Sequence, residues 1–165
     1  MLPDEEIQKA QILIQVDRAH EATEILSRVL EEWPDHSMAL AFMGYAQIRA
    51  GNPDEGEEYL AEALSLDPES DVAAAGMFEL HKERHQNAAA ERVALEQIRR
   101  NPRDANWMTR YAGLLLDNLQ FDKAGSVIDE ALRIDPDNQH AHFLTVLVGT
   151  IRGNRTVSEH SLAEL

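Results

Sequence analysis

Four prolines, Pro34, Pro68, Pro102 and Pro136, stand 34 residues apart without a slip. Proline disfavours helix in the residue before it, so each one marks a stop. A fixed period of this size is the signature of a stacked array of small repeated units. Other columns keep the same phase. Stepping by 34 from Ala22 gives Gly56, Ala90, Ala124 and Ser158, all small, as needed where two helices touch backbone to backbone. Leu26 leads to Leu60, Ala94, Ile128 and Leu162, and Leu30 leads to Leu64, Ile98 and Leu132, all apolar. A fourth column runs Ala10, Gly44, Phe78, Ala112, Val146, and here the third unit breaks the small-residue rule.

Each unit divides into two helices. Within residues 37–49, Leu40, Met43, Tyr45, Ala46 and Ile48 follow a helical period. Gly51-Asn52-Pro53 makes a turn, with proline placed in the first turn of the next helix. That helix runs to about Leu66 and stops at Asp67-Pro68. The other units break at Asp17-Arg18, His85-Gln86-Asn87, Asn118-Leu119-Gln120 and, in the fifth, Gly153-Asn154, leaving a short last helix from Thr156. The predicted repeats are 3–36, 37–70, 71–104, 105–138 and a truncated 139–165, all within one domain.

The second unit reads SMALAFMGYAQIRAGNPDEGEEYLAEALSLDP and the fourth ANWMTRYAGLLLDNLQFDKAGSVIDEALRIDP. Both end in A-L-x-(L/I)-D-P and both carry the small residue at the helix crossing. In this the chain resembles the tetratricopeptide repeat family over nearly its whole length. The third unit fits least well, with Phe78 at a small-residue position and Gln97 where the others hold Val29, Ala63 and Ala131. The resemblance implies an all-α fold, a right-handed superhelix (an α-solenoid) of helix-turn-helix repeats whose first helices line an inner groove. It implies a protein–protein scaffold or adaptor rather than an enzyme. A chaperone-like holder of an apolar client and a regulatory domain of a larger protein are the alternatives.

The formal charge is −15. Such a surface repels phosphate and argues against nucleic acid and anionic membrane as partners. Residues 1–70 hold 4 basic and 16 acidic side chains, whereas residues 71–110 hold 7 and 6, so the middle is a relatively basic island. There is no cysteine, which excludes disulfides and thiolate metal sites. No apolar signal core opens the chain, and the longest apolar stretch, Phe143 to Ile151, is too short to span a bilayer. The expectation is a soluble, cytoplasmic protein.

The groove implied by the resemblance can be assigned by phase. In the second unit it should show Met38, Ala41, Phe42, Tyr45, Ile48 and Arg49; the first offers Ile7, Gln8 and Gln11, the third Ala75, Glu79 and Lys82, the fourth Thr109, Arg110 and Leu116. Met38, Phe42, Tyr45 and Ile48 are large apolar groups on a face that solvent would otherwise reach, which suggests anchors for a peptide or amphipathic helix. Arg49, Glu79, Lys82 and Arg110 would flank them. The competing reading packs one or two of these anchors internally. The chaperone-tail mode of the family, a basic clamp on a terminal carboxylate, is not expected, since Ile7, Gln11, Phe42, Val72 and Gly76 occupy its positions. At the ends, Asp4, Glu5 and Glu6 make the first helix polar enough to cap the stack, while Phe143, Leu147 and Ile151 predict self-association, as a homodimer, through the fifth repeat.

Chemistry finds little support. His81 and His85, four apart, would share a helix face, but HKERH is not HExxH and no third ligand is evident. Glu57 and Glu58 diverge on a helix. There is no phosphate loop, no GxSxG and no cysteine nucleophile. No cofactor, metal or catalytic group is expected. Asn154-Arg155-Thr156 matches a glycosylation sequon by chance.

Overall fold

The computed structural model describes residues 3–163, with side chains through Ile151. Among the described residues the chain is helix and turn only. The helices are α1 (Pro3–Gln15), α2 (Ala19–Glu32), α3 (Ser37–Arg49), α4 (Pro53–Leu66), α5 (Asp71–Glu83), α6 (Asn87–Arg100), α7 (Ala105–Asp117), α8 (Phe121–Ile134) and α9 (Gln139–Ala163). Through α8, every first helix begins and ends 34 residues after the last first helix, and every second helix does the same.

Two recurrent devices set this register. Between the helices of a repeat, the backbone turns through one residue of positive φ: Asp17 (62°), Gly51 (92°), His85 (56°) and Leu119 (59°). The next amide reaches back five residues, Arg18 to the Leu13 carbonyl (2.8 Å), Asn52 to Gln47 (2.9 Å), Gln86 to His81 (2.8 Å) and Gln120 to Leu115 (2.8 Å). These are Schellman closures, which satisfy the orphan carbonyls of the helix end. Glycine fills that position once. Elsewhere an L side chain occupies it, at a penalty of roughly 1–2 kcal/mol.

Between repeats, Asp67, Asn101 and Asp135 each fold a side-chain oxygen onto the amide two residues on (3.1, 3.3 and 3.3 Å), bridging over the proline. The next first helix is then capped. His36 Nδ1, Ser70 Oγ, Asp104 Oδ1 and Asn138 Oδ1 accept from the amides of Ala39, Ala73, Trp107 and Ala141. A cap of this kind is worth about 1 kcal/mol.

The chain forms two compact bodies, Met1–Val93 and Ala94–Leu165. In the first, α1 packs on α2, α3 on α4, and α1, α3 and α5 lie side by side as a row. One cluster holds Ile7, Ala10, Leu13, Leu26 and Met43; a second holds Leu40, Ala41, Leu60, Ala73 and Met77. The crossing of α3 on α4 is close. A Cβ on Gly44 would sit 2.6 Å from Leu60 Cγ and 2.9 Å from the Gly56 carbonyl oxygen. A Cβ on Gly56 would sit 2.5 Å from Ile48 Cγ1. Arg84, at the end of α5, ties this body together by ion pairs to Asp54 and Glu57 on α4, both at 2.5 Å.

In the second body α7 packs on α8, and α9 packs on both. Trp107, Tyr111, Leu114 and Leu115 of α7 are buried, as are Ile128 and Ala131 of α8 and Ala141, Leu144 and Val148 of α9. Here the sequence expectation fails at one point. No turn forms at Gly153-Asn154, and α9 continues through both to Ala163. At Gly51-Asn52 the following residue is Pro53, which has no amide to continue a helix; at Gly153-Asn154 it is Arg155, which has one. An interior glycine costs a helix only about 1 kcal/mol, and Gly153 meets no neighbour that would force it out.

Candidate functional site

The row α1–α3–α5 is the natural place to look, because it holds the predicted anchors and its α3 carries the exposed Met38. Each predicted residue has a definite position there. Met38, on the first turn of α3, is 41% exposed. Phe42, one turn on, is half-buried and rests on the first hydrophobic cluster. Tyr45 is half-buried on the second cluster, close enough to α5 that a Cβ on Gly76 would lie 2.9 Å from its Cε2. Ile48 turns toward α4, against Gly56. Met38 and Phe42 therefore present apolar surface on the outer side of α3. Tyr45 and Ile48 form the packing beneath, as the competing reading of this quartet has it.

The charged members divide similarly. Arg49 is exposed and pairs with Asp17, 3.7 Å away, which ties the α1–α2 turn to the end of α3. Lys82 lies 5.8 Å over the Phe78 ring, and Glu79 beside it is half-buried. Phe78 is itself buried at the column where other repeats are small. Arg110 belongs to the C-terminal body, where its guanidinium stacks 5.4 Å over Trp107.

One column was misassigned by phase. Ile7, Ala41, Ala75 and Thr109 are all buried, at 5% exposure or less, rather than lining an open face. Ala41 packs among α5 residues Ala73 and Met77, so this column carries the contact between neighbouring first helices. The same column in the fifth repeat is Phe143, and Phe143 is 64% exposed. Val146, at the small-residue crossing column, is 69% exposed, and Leu147 is exposed beside it; Ile151 is half-buried. Val146 was not among the predicted contact residues, although its place in the crossing column was the signal that could have found it. At the other end, Ile12 and Val16 are exposed, although Ala46, Leu80, Leu114 and Val148 are buried at the column of Ile12. The acidic first turn of α1 thus caps only part of that surface.

The side chains with chemical potential are engaged structurally. His81 and His85 do not share a helix face, because α5 ends at Glu83 and His85 is the positive-φ turn residue; His81 Nδ1 instead lies 2.7 Å from Gln86 Oε1. Among the described residues no group of three metal-binding side chains comes together. Hydrogen bonds from Arg99 and Arg100 pull the Glu96 carboxyl down to about 2. Hydrogen bonds from Arg18 and Arg133 likewise hold Glu21 and Glu130 below the ordinary carboxylate value. All three are exposed pairs three or four residues apart on second helices, a pattern that supports helices rather than reactions. Two clefts flank the packing. One of about 160 Å³ lies between Pro3, Glu6, Arg28 and Trp33; one of about 410 Å³ lies between Asp122, Ser126, Asp129 and Thr145. The sequon at Asn154 lies outside the described side chains.

With this geometry in place, the chain belongs to the tetratricopeptide repeat family, whose models match residues 13–75 and 76–139. The repeats of this family are protein–protein interaction scaffolds, and that is the functional class of the chain. Solved structures share the fold. That of Pseudomonas aeruginosa pilF is similar with a TM-score of 0.80 at 16% identity, over 96% of this chain and 72% of that one. MamA gives 0.70 at 19% identity, over 89% and 86%. YrrB, described as a TPR protein with an unusual peptide-binding site, gives 0.64 at 17% identity, over 91% and 77%. No match was found among curated protein sequences. None of the described helices is long and apolar enough to cross a membrane.

Proposed function

We propose that the chain holds an extended peptide or an amphipathic helix against the outer side of the α1–α3–α5 row, with α3 as the anchor. The observation that carries this is Met38, 41% exposed, one turn before the half-buried Phe42. Burying a side chain of this size contributes roughly 1.5–3 kcal/mol. A few such contacts, less the cost of association, give affinities on the order of micromolar. Asp4 and Asp17 are almost fully exposed at the margins of the row, which favours a partner carrying basic residues beside its apolar anchors. Arg49, Glu79 and Lys82 would fix its register, and Tyr45 and Ile48 would hold the floor. The peptide-binding site in the description of YrrB is a parallel from the same fold.

The test is selection of peptides from a random display library on the full chain, followed by titration against Met38→Glu. Basic peptides with apolar residues spaced one helical turn apart should emerge. Their affinity should fall at least tenfold in Met38→Glu, with helical content unchanged by circular dichroism. An undiminished affinity removes α3 as the anchor.

A second reading has its own observation. The exposed face of α9, with Phe143 and Leu147 and with Ile151 at its edge, supports self-association as a homodimer. Phe143→Glu should then lower the mass seen by light scattering.

A further inference from the structure

The turn after each second helix closes in the same way through α8. Its first residue has nearly the same backbone in Trp33 (φ −132°, ψ 74°), Asp67 (−131°, 88°) and Asp135 (−129°, 90°). The amide three residues on returns to its carbonyl each time: His36 to Trp33 (3.2 Å), Ser70 to Asp67 (3.1 Å), Asp104 to Asn101 (3.1 Å) and Asn138 to Asp135 (3.2 Å). Only the side chain differs. Asp67, Asn101 and Asp135 each accept a hydrogen bond inside the turn, whereas an indole has only a donor to offer. The first repeat thus gives up a turn bond that the others keep, and in its place holds a large aromatic 37% exposed.

Two further departures from the repeat pattern face the same cleft. Trp33, Glu6, Arg28 and Glu32 line the cleft of about 160 Å³, together with the buried Ile25 and Val29. At the column of Glu6 the next three repeats hold Leu40, Ala74 and Met108, all buried. At the column of Arg28 they hold Glu62, Glu96 and Glu130. Glu6 is half-buried, yet among the described residues it has no hydrogen-bond or ion-pair partner, and neither have Arg28 and Glu32. A cover over Ile25 and Val29 would account for Trp33 alone. It would not account for Glu6, because a carboxylate drawn from water without a partner is costly where leucine or methionine would pack.

We propose that this cleft receives an arginine side chain from a partner protein. The aliphatic stem lies on Ile25 and Val29, the guanidinium stacks on Trp33, and Glu6 and Glu32 supply the countercharge. Size agrees, since a cavity of about 150 Å³ takes a benzene-sized group. Charge agrees as well. Residues 1–70 hold 4 basic and 16 acidic side chains, so the local field draws a cation and repels an acidic occupant. Lysine could meet the carboxylates, but only the planar guanidinium stacks flat on an indole. Arg28 opposes the occupant and sets an upper bound on how tightly it is held. The site is separate from the anchor on α3 and needs neither Met38 nor Phe42.

The neighbouring repeats supply the test, because each substitution can be borrowed from an equivalent column. A fluorescein-labelled, amidated hexa-arginine peptide is titrated against the full chain by anisotropy at about 0.15 M salt, where the Debye length is about 8 Å. Trp33→Asp should weaken binding about tenfold, Glu6→Leu about fivefold, and Arg28→Glu should tighten it about threefold. Trp33→Asp makes the chain more acidic, so general attraction to its charge predicts the opposite sign. Unchanged or stronger binding in Trp33→Asp overturns the proposal, and equal affinity for hexalysine overturns the assignment to arginine. Met38→Glu should leave the peptide bound; a tenfold loss there would place it on α3 and overturn the cleft. The parent chain gives a check that does not depend on how any variant folds. Trp107 is 2% exposed, so acrylamide quenching reports mainly on Trp33. Hexa-arginine should shield Trp33 from acrylamide, and quenching that is the same with and without bound peptide overturns the proposal.

Discussion

The second and fifth repeats carry the same dipeptide, Gly-Asn, at the same column, and do opposite things with it. Gly51 takes φ 92° and the chain reverses; Gly153 stays inside a helix that runs on to Ala163. The difference lies around the dipeptide rather than in it. Pro53 forbids the helix to continue past Asn52, and the facing Gly44 and Gly56 let the returning helix come within contact of the first. Arg155 forbids nothing, and Val146 fills the space that Gly44 leaves open. In the second repeat three separated positions favour the reversal together, namely a residue that tolerates positive φ, a stop after it and a small pair at the crossing, whereas the first, third and fourth repeats turn with Ala19, Asn87 and Phe121 at the column of Pro53, and the third does so with Phe78 at the crossing.

The largest effect should come from blocking the closed crossing. Gly44→Val puts branched carbon against Leu60 and the Gly56 carbonyl and should cost about 3 kcal/mol, the upper end of overpacking. By thermal denaturation that is a fall of roughly 6–12 °C. A change below 2 °C would show that the crossing can relax. Next come two identical substitutions with opposite signs. Gly51→Ala should destabilise by about 1 kcal/mol, because alanine resists positive φ. Gly153→Ala should stabilise by roughly 0.5–1 kcal/mol, because alanine favours helix. Urea titration of both separates the two environments, and equal signs would erase the distinction. Leu119→Gly asks the same of the fourth repeat. Leu119 is 73% exposed at φ 59°, so removing its side chain should raise the stability by about 1 kcal/mol or less, seen as a higher urea midpoint. A loss of stability would mean that its exposed side chain makes a contact worth more than the strain.

The smallest effect lies outside both repeats and serves as a control. Glu96 is held at about 2 against an ordinary 4.5 by Arg99 and Arg100. A carboxylate with a depressed folded-state value adds stability that is full above the unfolded value and is lost as pH falls toward the folded one. Glu96→Gln should therefore flatten the pH dependence of the midpoint between about 4.5 and 2 and leave its shape unchanged above pH 6. An unchanged acid limb would show the pair to be too solvated to matter.

These contrasts also mark how much could be read from residue order. The proline spacing and the small columns were sufficient for the repeat length, the helix pairs and the family, because sterics at those positions admit few residues. Positive φ at Asp17, His85 and Leu119 was not legible, since the Schellman bonds there are backbone bonds and leave no side-chain signature. Groove phase was half legible. Counting turns placed Met38 outward, yet could not foresee that Ile48 leans on Gly56 or that the column of Ala41 carries contacts between neighbouring first helices. Those outcomes depend on how closely two helices approach, which a periodic pattern does not encode. The continuous α9 was missed for a related reason: Gly-Asn was read alone, without the absent proline and the oversized Val146.

The helix pairs in close contact reach no further along the chain than the next-but-one helix, as in α1 with α3, α3 with α5 and α7 with α9. Nothing distant must be brought together before a neighbouring pair can form. Assembly can start at any hairpin and spread, with low contact order favouring rapid folding. Loss of structure should be graded in the same way, so that amide exchange is slowest around the Gly44–Gly56 crossing, where two helices touch with no side chain between them.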